Sequence, residues 1–144
     1  QVYTLSQDEE ALATSELNAD FWLKNLPADR VPYWDFDADL TQPLPWGPQK
    51  DSSAGAIAAS GLLDLAQQTK CPDRAKAYRD TALAMLDALV QPEYLAINDA
   101  GWEGILKHGV YHTAKNLGVD ESVMWGEFFF VEALLKALAL EQSS

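Results

Sequence analysis

The stretch DESVMWGEFFFVEALLKAL, residues 120–138, decides how this chain folds. Val123, Met124, Trp125, Phe128, Phe129, Phe130, Val131, Leu134, Leu135 and Leu138 leave a helix here with no wide polar side, and only Glu127, Glu132 and Lys136 interrupt it. A helix apolar on nearly every face has to be covered by other protein or by lipid. Its apolar part is shorter and more charged than a membrane span of about 20 residues requires. The expectation is therefore an inner helix of a globular protein, wrapped by others. Asp120 is placed to cap it, and Glu121 suits the positive end of its dipole. Glu132 and Lys136, four residues apart, add local support.

Working outward, three more helices are expected. Residues 8–26 read as amphipathic: Ala13, Leu17 and Phe21 step along one face, Leu12 and Trp22 widen it, and Ser6 with Glu9 fits a capping box. Pro27 ends that helix. Residues 52–67 are rich in Ala and Gly, with Asp64 the single charge, so neighbouring helices can approach closely; Asp51 or Ser52 caps this buried helix. Residues 72–90 are amphipathic again. Ala75, Tyr78, Ala82, Met85 and Leu89 form the inner row, with Arg74, Lys76, Arg79, Asp80 and Asp87 facing away. Pro72 suits the first turn.

Two long loops separate these pairs, 27–51 and 91–119. Each carries aromatics and leads into a buried helix through an acidic-plus-serine step, Asp51-Ser52-Ser53 and Asp120-Glu121-Ser122. Alternation of a half-wet and a buried helix is the mark of two concentric helical layers, with no sheet. The loops then emerge at one end, over the N-termini of the inner helices, where a site would form. QVYTL at residues 1–5 reads as the tail of an apolar element already under way, so the chain is expected to be a piece of something longer.

Composition narrows the function. The chain has 144 residues, 48% hydrophobic and 22% charged, with a net charge of −12. Such acidity repels phosphate backbones, which argues against nucleic acid as a partner. No apolar run reaches membrane length, which argues against a membrane partner. The single cysteine, Cys71, excludes an internal disulfide and a cysteine-based metal site. It is compatible with a reducing compartment, and a cytoplasmic location is expected.

Candidate chemistry concentrates in the loops. Tyr33, Trp34 and Phe36 sit among Asp35 and Asp37, and Trp46 follows in the same loop. A flat apolar ring beside carboxylate acceptors is what a sugar needs. Asp35 and Asp37 could also be an acid–base pair, although two acids occur together often by chance in so acidic a chain. His108 and His112 are four apart, a metal spacing on a helix, but Gly109 lies between them and no third ligand is specified. With Tyr111 and Lys115 they make a positive, aromatic patch in an otherwise acidic chain. Glu127 needs partners if buried, and reads equally as a structural acceptor or a site residue. Trp125 is either core or a stacking surface. Serine-nucleophile motifs, phosphate loops and dinucleotide fingerprints do not occur.

Taken together, VPYWDFDAD (31–39), KDSSAGAIAASGLLDLA (50–66), GILKHGVYH (104–112) and GVDESVMWGEFFFVEALLKAL (118–138) resemble the C-terminal half of an unsaturated glucuronyl hydrolase, glycoside hydrolase family 88. Two departures stand out: Lys50 where arginine is expected, and Gly126-Glu127-Phe128-Phe129 where Gly-Asp-Tyr-Tyr is usual. The resemblance implies an all-α fold, an incomplete (α/α)6 toroid, with residues 1–144 the C-terminal portion of a single catalytic domain whose N-terminal half would be its partner. It implies a substrate, an unsaturated uronate-containing oligosaccharide, and no metal or cofactor. The family's catalytic aspartates match no residue here, so none is assigned. Expected substrate contacts are Trp34, Asp35, Ser52, His108, Tyr111, His112 and Trp125. An unsaturated rhamnogalacturonyl hydrolase relative and a non-catalytic helical-repeat binding module are the alternatives.

Overall fold

The structure, a computed structural model, describes residues 2–43 and 47–142. Five α-helices are connected in chain order: α1 (Val2–Ser6), α2 (Glu9–Asn25), α3 (Ser52–Gln68), α4 (Pro72–Leu89) and α5 (Met124–Glu141). Between α4 and α5 stands a hairpin, β1 (Gly109–His112) and β2 (Leu117–Glu121), joined through a single 3-10 turn. Helix α3 is the hub and packs chiefly against α4 and α5. Its Ala56, Ala59, Leu62 and Leu63 meet Tyr78, Ala82, Met85, Leu86 and Leu89 of α4 and Phe130 and Ala133 of α5, and all of these are buried. Small residues on α3 let both neighbours come close, as its composition suggests.

The helix bounds follow the expected ones within a few residues, with informative exceptions. Helix α2 is capped by Asp8, whose carboxylate accepts from the Glu10 N–H at 2.9 Å; Ser6 instead ends α1 and accepts from the Asp8 N–H. The expected buried row of α2 is turned outward: Ala13, Leu17 and Phe21 are exposed, and Leu12 and Ala19 are buried. The cause is polar. Arg74 of α4 reaches Glu16 and Asp20 of α2, each at 2.7 Å, and the Tyr78 hydroxyl donates to Asp20 at 2.7 Å. These contacts fix the rotation of α2 and draw Arg74 into the interface instead of facing it away.

The hairpin corrects the expectation of a sheet-free chain. β1 and β2 are antiparallel, with an irregularity in register between Gly109 and Val110. The turn is closed by Asn116 and Gly118 in left-handed conformations, φ 51° and 54°, which these residues tolerate better than most. Asp120 and Glu121 therefore belong to β2 and cap nothing; Asp120 has φ 62°, incompatible with a helix start. Helix α5 begins at Met124 without a side-chain cap.

Helix α5 is also less covered than its composition demands. Gly126, Phe130 and Ala133 are buried, but Met124, Phe128, Val131, Leu135 and Leu138 form an exposed stripe at helical spacing. On its α3 side, Lys136 reaches Ser60, Asp64 and Glu132, and the Ser60 hydroxyl donates to Glu132. That hydrogen bond, then Lys136, holds the Glu132 carboxyl below its ordinary value. Among the described residues no helix is long and apolar enough to cross a membrane.

Candidate functional site

The N-termini of α3 and α5 and the hairpin meet at one place, and Asp51 is the residue that joins them. Its carboxylate oxygen Oδ1 caps α3 by accepting from the N–H groups of Ser53 (3.0 Å) and Ala54 (3.3 Å). The same oxygen accepts from the Ser53 hydroxyl at 2.7 Å and from the Val110 N–H of β1 at 3.1 Å. The Asp51 N–H donates to the Pro32 carbonyl at 3.0 Å, which ties in the first loop. Asp51 is buried, and burial raises its carboxyl above the ordinary range despite these donors. Beside it, Ser52 is fully buried; its hydroxyl donates to the Lys107 carbonyl at 2.5 Å and its N–H to the His108 carbonyl at 3.1 Å.

Close approach of the backbones makes this junction possible. A Cβ on Gly126 would lie 2.8 Å from the Ser53 Cβ, and one on Gly109 would lie 2.9 Å from the Glu121 carbonyl oxygen. Glycine at both positions lets α5 and the hairpin sit directly on the start of α3.

Aromatic side chains gather over this junction. Trp34 lies against His112 with ring centroids 5.9 Å apart and planes tilted by 31°. Tyr111 meets His112 edge-on at 6.5 Å and Trp125 at 5.6 Å. The Trp125 indole N–H donates to the Ser53 hydroxyl oxygen at 3.2 Å. Trp34, Tyr111 and Trp125 all keep exposed surface, at 38%, 58% and 39%. The result is a row of half-open rings, with the Trp125 indole held from behind by its hydrogen bond to Ser53. Such a row offers apolar faces to a ring-shaped polar ligand such as a pyranose.

Four of the seven expected contact residues, Trp34, Tyr111, His112 and Trp125, thus converge. Ser52 lies beneath them as a buried brace. Asp35 is exposed and turns the loop, accepting from the Asp37 N–H at 2.9 Å; this uses Asp35 locally and does not pair it with Asp37 as two acids. His108 keeps separate company. Its ring contacts Tyr94 and Trp102, at 5.8 and 5.5 Å, and its Nδ1 meets the Asp120 carboxylate. Glu127 is a structural acceptor, receiving the N–H groups of Ile105 and Leu106 at 3.0 Å. Trp46 lies outside the described residues. Among the described residues no group of three or more His, Cys, Asp or Glu is placed to hold a metal ion. The part of Asp51 beyond helix capping escaped the sequence reading, because its bond to Val110 depends on a hairpin that the reading did not contain.

Helical layers with aromatics gathered at the inner-helix N-termini define a segment of an α/α toroid. Over nearly all of its length the chain is a homologue of the unsaturated glucuronyl hydrolases. It is 34% identical over 129 residues to the unsaturated glucuronyl hydrolase of Bacillus sp. (strain GL1), covering 88% of this chain and 33% of that protein. A second one, from Formosa agariphila, is 34% identical over 134 residues, 92% of this chain and 32% of the relative. Among solved structures, an unsaturated glucuronyl hydrolase specific for heparin superposes with a TM-score of 0.87 at 30% identity, over 97% of this chain and 36% of that one. A mutant unsaturated glucuronyl hydrolase from Streptococcus agalactiae, complexed with dGlcA-GalNAc6S, superposes with a TM-score of 0.80 at 28% identity, over 94% of this chain and 35% of that one. The chain spans about a third of the length of the curated relatives it matches. No protein-family profile matches it. The fold is the corresponding segment of the (α/α)6 toroid.

Proposed function

We propose that this chain is the C-terminal portion of a single (α/α)6 catalytic domain, and that the complete protein removes 4,5-unsaturated glucuronic acid from the non-reducing end of lyase-generated, glycosaminoglycan-type oligosaccharides. One observation carries the reading: the half-open rings of Trp34, Tyr111 and Trp125, with His112 among them, converge over the N-termini of α3 and α5. They do so in a chain whose relatives are named for this activity. The chain supplies one wall of the cleft. The other walls, and the carboxylate that carries the chemistry, come from the remainder of the domain.

The reaction begins at the C4=C5 double bond, a vinyl ether. A carboxylic acid protonates C4, and water, deprotonated by the same group, adds at C5. The hemiketal so formed rearranges, and the glycosidic bond opens. No residue of this chain is assigned the acid–base step. Trp34, Tyr111, His112 and Trp125 hold the sugar rings, with Asp35 at the rim and Ser52 bracing the floor. Lys115, exposed in the turn of the hairpin, attracts a sulfated neighbouring sugar through a charge-assisted hydrogen bond. The remainder of the domain covers the exposed apolar stripe of α5, and a cytoplasmic location suits the reading.

The test is a substrate panel given to the complete protein. Unsaturated chondroitin and heparin disaccharides should lose the absorbance of their double bond. An unsaturated rhamnogalacturonan disaccharide should not. Turnover of the latter alone would move the assignment to the rhamnogalacturonyl relatives, and binding without turnover of any of them would leave a binding module.

A further inference from the structure

The Trp125 indole and the Tyr111 backbone are both held, at one remove, by a single buried oxygen. Trp125 on α5 donates its N–H to the Ser53 hydroxyl, and that hydroxyl donates onward to Asp51 Oδ1. Val110, the residue before Tyr111, donates its backbone N–H to the same oxygen. The two exposed rings, 5.6 Å apart and 62° between planes, sit at the outer ends of these two paths. Neither Asp51 nor Ser53 is open to a ligand, being 5% and 2% exposed.

We propose that Asp51 and Ser53 form a positioning relay that sets the mutual angle and spacing of Trp125 and Tyr111, and thereby the fit of the sugar ring that rests on them. This rests on the sugar-binding reading above for its ligand, but not for its geometry. Helix capping alone does not need Ser53 to carry a hydroxyl. The cap uses the N–H groups of Ser53 and Ala54, which any residue at 53 except proline provides. The hydroxyl adds a further donor to Asp51 Oδ1 and, oriented by that bond, an acceptor for the indole. A tryptophan side chain has two rotatable bonds, and a fixed indole N–H removes most of its remaining freedom. Preorganising a stacking surface in this way lowers the cost of ligand binding.

Ser53→Ala in the complete protein isolates the relay, since it keeps the cap, the Val110 bond and the packing volume within one atom. Two readouts separate the relay from the function it serves. In a nitrogen–proton correlation spectrum, the Trp125 indole resonance should shift and its hydrogen should exchange faster, with the other indole signals unmoved. For the unsaturated chondroitin disaccharide, KM should rise by roughly 2- to 12-fold, the range of one neutral hydrogen bond, with kcat less affected. Trp125→Phe, which removes the N–H and keeps a ring, should cost a similar factor. In the double variant the Ser53→Ala effect should vanish, because the donor it served is gone. An unmoved Trp125 indole signal in Ser53→Ala would overturn the relay whatever the kinetics. Additive effects in the double variant would overturn it too. A shifted indole with no disaccharide binding in the wild type would uphold the geometry and refute the sugar reading instead.

Discussion

Trp34 is 38% exposed and leans on His112, so its ring serves an open surface more than a core. Deleting a fully buried tryptophan costs about 3–5 kcal/mol. Trp34→Ala in the complete protein should cost well under that, while KM for the unsaturated disaccharide rises or turnover falls. Thermal unfolding beside steady-state kinetics checks this, and a variant that loses folding first would make Trp34 structural. Asp51 makes a different prediction, in pH. Its folded carboxyl is raised above the ordinary 3.8 by burial, so between those two values the folded chain holds a proton that the unfolded chain has lost. Stability from this group is therefore present below the unfolded value and declines as pH rises from 3.8 through the raised folded value. Asp51→Asn keeps an acceptor for the cap and cannot ionise. The denaturant midpoint of the wild type minus that of Asp51→Asn should fall across this window; a difference that rises with pH would show that the ionised form is the one the fold favours.

The seam between α3 and α5 rests on Gly126. A Cβ there would lie 2.8 Å from the Ser53 Cβ, which is fixed to the α3 backbone and cannot swing aside. Gly126→Ala should therefore push α5 off α3 and destabilise by about 1–3 kcal/mol, as overpacking does, despite the better helix propensity of alanine. Denaturant unfolding checks it, and a stabilised variant would show the seam to be looser than described. Element by element, the four long helices were legible, and the short α1 was not. Their inner rows on α3 and α4 follow from apolar spacing, and Asp51 was visible as a cap. What the sequence hid was set by contacts distant along the chain. The outward turn of Leu17 and Phe21 depends on Arg74 and Tyr78, more than fifty positions away. The hairpin 109–121 is too short for a strong alternation, and its signals were Asn116 and Gly118, two residues that accept a left-handed backbone. Of the site, Trp34, Tyr111, His112 and Trp125 were legible as residues but not as neighbours. His108 was misplaced in the same patch because spacing along a loop says nothing of which way a ring turns; here Asp120, Tyr94 and Trp102 hold it.

Considered whole, the chain is a set of helical layers with one apolar helix face left open to solvent. Met124, Phe128, Val131, Leu135 and Leu138 repeat along one stripe of α5 and remain exposed, although the helix carries hardly any polar face to turn outward. An apolar stripe of that length on one helix marks a surface that other protein covers. Under the proposed function, protonation of C4 also falls to a group outside this chain. Both are explained if the rest of a toroid stands against α5 and brings the acid–base carboxylate with it. The most direct measurement compares the 144-residue chain with the complete protein on the unsaturated chondroitin disaccharide, following the absorbance of the C4=C5 double bond. The complete protein should consume the double bond and the chain alone should leave it intact; consumption by the chain alone, or none by the complete protein, would contradict the assignment.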